Sequence, residues 1–196
     1  INFQLPTIFL AGPTVRGNQP HLLPSWRDEA VKLFRQQGFE GNLIIPEFLK
    51  TTVSDKYRYD LPEWEFHGLT HCHVILFWIP RTKELLGLTT NYEIGYWTAR
   101  DRKKIVYGRP DNAYRIQYLD IMWYADGKRQ NHDDQDYPIH NTLEKTVKAS
   151  LQMLKYLRET IICNVCVHGV TGSCTHDRSY ELAQSCRTRH VGSFGL

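Results

Sequence analysis

The sequence predicts an α/β protein built on a mainly parallel sheet of four to five strands. Short apolar runs alternate along the chain with segments of helical periodicity, the order that βαβ units produce. The run Val74-Ile75-Leu76-Phe77-Trp78-Ile79 is continuously apolar, as befits a parallel strand covered on both faces. Turn-forming residues recur after each predicted strand, so several loops converge on one sheet edge.

The elements follow in order. Thr7–Ala11 is the first strand, and Gly12-Pro13-Thr14-Val15-Arg16-Gly17 is the loop behind it. Gly12 lets the backbone approach a ligand closely, and Arg16 with the loop N–H groups makes a candidate phosphate contact. Ser25 is an N-cap for a helix running to Gln37, with Asp28 and Glu29 in its first turn and Gly38 as its stop. Asn42–Pro46 is the second strand, joined to the first by a right-handed crossover. Pro62 at a favoured first position predicts a helix from Leu61 to His71, which carries Glu65. His73–Ile79 is the third strand.

The stretch Gly87-Leu88-Thr89-Thr90-Asn91-Tyr92-Glu93-Ile94-Gly95 follows and organises the rest. It reads as a loop feeding a helix from Glu93 to Arg102. That places Glu93 in a first turn, where the helix dipole and free N–H groups favour an ionised carboxylate. Such a carboxylate suits a glycosidic nucleophile. Thr90 and Glu93 also fit a capping box, in which each satisfies the other's backbone donor, and the two roles compete.

Lys104–Tyr107 is the fourth strand, closed by Gly108-Arg109-Pro110. Asn112–Tyr124 is helical, residues 125–140 form a polar excursion, and Asn141–Arg158 is an amphipathic helix. The chain therefore divides into a domain over residues 1–160 and a Cys/His-containing tail over 161–196.

Composition narrows the function classes. A net charge of +3, from 24 basic and 21 acidic residues with no basic run, makes a nucleic-acid partner unlikely. No stretch approaches the roughly 18 apolar residues of a membrane span, and no basic-then-apolar leader is expected. Of five cysteines four lie beyond residue 160, and the odd count predicts reduced thiols and a cytoplasmic setting. Cys163, Cys166, Cys174 and His176 form a candidate structural zinc set, led by the Cys-x2-Cys pair, although the second half lacks a common spacing. Reduced thiols without metal are the alternative.

Taken in order, Ile8-Phe9-Leu10-Ala11-Gly12-Pro13-Thr14, Trp26-Arg27, Ile45-Pro46-Glu47, Trp64-Glu65, Ile75 to Arg81, Thr89 to Gly95 and Tyr107 to Pro110 resemble the nucleoside 2-deoxyribosyltransferase-like family. The resemblance covers roughly residues 7 to 120. It implies a flavodoxin-like (Rossmann-like) three-layer sandwich, cleavage of the bond between base and (deoxy)ribose, no required cofactor, and homodimers that complete each other's pockets. Glu93 matches the family's nucleophile, and Gly12, Pro13 and Thr14 match the loop bordering base and sugar. Arg16 matches a phosphate-holding arginine of related nucleotide hydrolases. Cys72-His73 and Gly87 stand where many transferases carry acidic or hydroxyl residues, so base protonation falls to His73, Glu65 or Glu47. Thr89, Thr90, Asn91 and Arg109 complete the candidate substrate contacts. The expected activity is N-glycosidase or transferase on a nucleoside or nucleotide; the alternative is a catalytically silent nucleotide-binding sensor of the same fold.

Overall fold

The computed structural model describes residues 4–15, 25–47, 57–130 and 137–169, the side chains at 57–61, 129–130 and 160–169 excepted. Five parallel strands, β1 (Thr7–Ala11), β2 (Asn42–Ile44), β3 (Val74–Trp78), β4 (Ile105–Gly108) and β5 (Ile139–His140), lie in the order β2-β1-β3-β4-β5. Helices α1 (Trp26–Gln36), α2 (Tyr57–His71), α3 (Leu88–Asp101), α4 (Gln117–Gln130) and α5 (Leu143–Gly169) connect and flank them. This is an α/β three-layer sandwich with the flavodoxin-like strand order. No helix among the described residues is long and apolar enough to cross a membrane.

Alternation along the strands divides the core between the sheet's two faces. Phe9, Ile75, Phe77, Ile105 and Tyr107 lie in one cluster with Leu69 of α2, Ile94 and Trp97 of α3, and Trp123 of α4. On the other face Gly108 stands against Thr146 of α5, whose Oγ1 would lie 2.1 Å from a Cβ at that position. The chain divides into two compact units, Ile1–Met153 and Leu154–Leu196. The boundary falls inside α5, where the sequence expects it at residues 160/161.

Several elements differ from the sequence expectation. The helix expected from Leu61 starts at Tyr57 and contains Pro62. Pro62 lies close enough to the start to cost the helix only one backbone bond. α3 begins at Leu88, five residues before the expected start, because Gly87 adopts the left-handed conformation (φ 60°) and turns the chain directly into helix. α4 runs on to Gln130 through residues expected as polar excursion, and the excursion ends in a fifth strand. α5 extends past Arg158 to Gly169 because its last two turns are as apolar as its first.

Candidate active site

β1 and β3 are adjacent, and the chain leaves them in opposite directions, leftward to α1 and β2, rightward to α3 and β4. The carboxyl edge between such strands is the point where open α/β sheets bind ligands. Three chain segments meet there. Gly12 (φ 148°) crosses so tightly over the end of β3 that a Cβ would lie 2.1 Å from the Trp78 carbonyl oxygen. Pro13, which follows, packs against Gly87, where a Cβ would come within 2.6 Å of the proline ring. The Gly12–Thr14 loop and the start of α3 thus fix each other's position.

Glu93 occupies the sixth position of α3, in its second turn, with no acidic residue in the first. The capping-box reading fails: Gly87 is the N-cap, no side chain caps the helix, and Thr90 is inside it and 1 % exposed. The expectation that the dipole holds Glu93 ionised fails with it. Burial, then the charge of Glu65, push the Glu93 carboxyl up to about 7, against a smaller opposing pull from Arg27. Half-buried and titrating near neutrality, Glu93 is placed as a group that exchanges protons.

Glu65 reaches the same place from α2. Gly68 packs on the Phe9 ring, where a Cβ would meet the ring carbon at 3.0 Å, and Leu69 is in the core beside it. Glu65 lies one turn earlier on that helical face, and α2 runs against the strands, so the turn carries it towards the carboxyl edge. Burial raises its pKa too, with Arg27 lowering it. The charge of Glu65 opposes the ionisation of Glu93, whose carboxyl is pushed up to about 7.

Arg27 interacts electrostatically with both and is the main residue that sequence reasoning passed over as a site residue. It is the second residue of α1, and its side chain is 1 % exposed. Nε donates to the Leu10 carbonyl (2.9 Å), Nη2 to the Gly12 carbonyl (2.8 Å), and Nη1 to Glu47 Oε1 (2.7 Å). Longer contacts of 3.3 Å join Nη1 to the Pro13 carbonyl and Thr14 Oγ1. Ser25 Oγ donates to the same Glu47 oxygen (2.7 Å), so Glu47 is committed to the scaffold and drops out as an acid. The available signal was an arginine in a first turn, where the helix dipole disfavours a cation and some other partner must be found.

The remaining sequence-derived candidates separate clearly. His73 is at the amino edge: its N–H donates to the Thr7 carbonyl (2.9 Å) and its Nδ1 accepts from Thr7 N (3.2 Å). The whole of β3 separates it from the carboxyl edge, about 16 Å at 3.3 Å per residue. A histidine preceding a strand begins at the wrong end of a parallel sheet, so His73 is no part of this site. Thr90 faces the core and is likewise withdrawn as a contact. Thr14 and Thr89 are exposed at the edge.

Asn91 Oδ1 accepts from Arg81 Nη2, a contact of 2.5 Å. Because arginine only donates, the oxygen must face it, and the exposed Asn91 presents its amide N–H2 outward. Arg109 leaves β4 and forks onto Asp120 Oδ2 through Nε (3.1 Å) and Nη2 (2.8 Å), while Tyr107 Oη donates to Asp120 Oδ1 (2.8 Å). Its charge is therefore spent on Asp120 rather than directed at a ligand.

Arg16 lies outside the described residues, as do Cys174 and His176. Cys163 and Cys166 lie on helical backbone of α5, their side chains outside the description. Among the described residues no group of three or more His, Cys, Asp or Glu is placed to hold a metal. Comparisons of the chain with protein-family models, with curated proteins and with solved structures find no match.

Proposed function

We propose that the protein cleaves the N-glycosidic bond of a nucleoside or nucleotide, with Glu93 as nucleophile and Glu65 as proton donor. The observation that carries this is the pairing of two half-buried carboxylates, Glu65 and Glu93, beside one buried arginine at the β1/β3 switch point. Glycoside chemistry needs one ionised and one protonated carboxyl group at the same bond, and the reaction runs from the form in which the proton has passed to Glu65 and Glu93 is ionised. The ordered resemblance to nucleoside 2-deoxyribosyltransferase-like enzymes, with Glu93 at their nucleophile position, supports the substrate class.

In this mechanism the ionised Glu93 oxygen attacks the anomeric carbon and forms a glycosyl ester as the C–N bond breaks. The electron pair of that bond leaves with the base, which takes the proton held by Glu65. Glu65, now ionised, removes a proton from water or from an incoming base, which attacks the same carbon and releases Glu93 with retention of configuration. The Asn91 amide donates to an acceptor atom on the substrate, and the Gly12–Thr14 loop borders it. The expected homodimer belongs to the same resemblance, and the cytoplasmic setting rests on the odd cysteine count.

The test is base release from a panel of nucleosides and nucleotides, with and without added free base. Turnover is expected for at least one substrate and is expected to fall at least about 10³-fold in Glu93→Gln. Unchanged turnover in Glu93→Gln would refute the assignment. Substrate binding without base release in the parent protein would favour the nucleotide sensor instead.

A further inference from the structure

We propose that Arg27 is a positioning residue for Glu93: paired with Glu47, its guanidinium seats the Gly12–Thr14 loop through backbone carbonyls, and that loop packs through Pro13 on Gly87 at the start of the helix that carries Glu93. The inference rests on the reading of Glu93 as the reacting carboxylate.

A guanidinium removed from water is costly unless its donors and its charge are both met. Arg27 meets its donors mainly with main chain: the carbonyls of Leu10, near the end of β1, and of Gly12 and Pro13, just beyond it. These oxygens turn inward onto one cation, an unusual demand on a loop. Because the peptide is planar and trans, a Pro13 carbonyl aimed at Arg27 turns the Thr14 N–H the opposite way. Arg27 thus decides which polar groups the loop offers on its outer side. The Trp26 indole reinforces this, since its Nε1 donates to the same Pro13 carbonyl (3.0 Å).

The charge is met unequally. Glu47 takes a direct ion pair of 2.7 Å and is 18 % exposed. Glu93 and Glu65 interact with Arg27 more weakly than Glu47 does. Two charged groups bear on the Glu93 carboxyl, Glu65 from α2 and Arg27 from α1, and Glu47, in the segment after β2, pairs with Arg27. Glu47 therefore sets how much of the cation remains for Glu93. Weakening the Glu47 pair and deleting the cation must move Glu93 in opposite directions, which a merely structural arginine would not produce.

The experiment is a carbon-detected NMR titration of glutamate carboxyls in the full chain, with the Glu93 resonance identified by its loss in Glu93→Gln. In Arg27→Met the Glu93 midpoint is expected to rise by about 1–3 units, the usual effect of an adjacent opposite charge. In Glu47→Gln, which keeps an oxygen for Arg27, it is expected to fall. Arg27→Lys, which keeps the charge without the fork, is expected to stay near the parent midpoint while the substrate KM rises. If Arg27→Met does not fold, the other two variants decide. A Glu93 midpoint unmoved in Glu47→Gln, or moved upward, overturns the proposal. The titration needs no substrate, so failure to find base release would sink the catalytic reading and leave this result standing.

Discussion

A Cβ on Gly87 would lie 2.6 Å from the Pro13 ring, and Gly87 itself sits at φ 60°. One glycine thus makes the turn that starts α3 and the contact that seats the loop after β1. Gly87→Ala is expected to lose about 1–3 kcal/mol from backbone strain and the collision together. Urea unfolding measures the loss. Base release should fall further than stability does, because Pro13 must move away from Glu93's helix; an alanine variant of parent stability and activity would contradict this packing.

Stability should depend on pH through Glu93. Its folded pKa, about 7, is above the ordinary carboxyl value of 4.5, so the folded state holds the proton that the unfolded state releases. Stability is therefore full below about pH 4.5 and falls as pH rises through 7. Glu93→Gln removes that ionisation. At pH 8 it should be more stable than the parent by about 1–3 kcal/mol, and the gap should close at pH 4.5. Equal unfolding midpoints at pH 8 would show the carboxyl to be ordinary.

Glu65→Gln keeps the shape of the proposed acid and removes its proton. Turnover is expected to drop about 10²–10⁴-fold, with the largest losses on substrates whose bases leave poorly. Losing the neighbouring charge should also lower the Glu93 midpoint, since Glu65 is one of the causes raising it. A profile of rate against pH identical to the parent's would remove Glu65 from the mechanism.

Asn91 is held by Arg81 with its amide donors outward. Asn91→Asp preserves, and charges, the contact with Arg81 but deletes the donors. Stability should be equal or higher, while substrate KM rises about 3- to 10-fold, the worth of one hydrogen bond. A KM that does not move would show that the outward amide meets no substrate.

Much of the scaffold was legible in the residues themselves. β1 and β3 are continuous apolar runs, and Ser25 and Gly38 bound α1 as cap and stop, all effects acting within a few residues. Glu93 was found by its place after the third strand. The start of α3 was misread because Gly, Thr and Asn suggest a loop, whereas one left-handed glycine was enough to begin the helix. The position of β5 is not legible because two residues carry no periodicity, and its pairing with β4 exists only in the assembled sheet.

The site separates what the chain settles alone from what folding decides. Sequence by itself determined the α/β class and the converging loops, because each follows from local pattern and chain order, and it singled out Glu93 as the candidate carboxylate. Only the tertiary structure decided that Glu65 comes within electrostatic reach of Glu93, that His73 is at the opposite edge, that Glu47 is committed, and that Arg27 is buried among loop carbonyls. Those relationships join residues up to 66 positions apart. They depend on strand order and helix direction, and on the electrostatic cost of burial, none of which is written in any one segment.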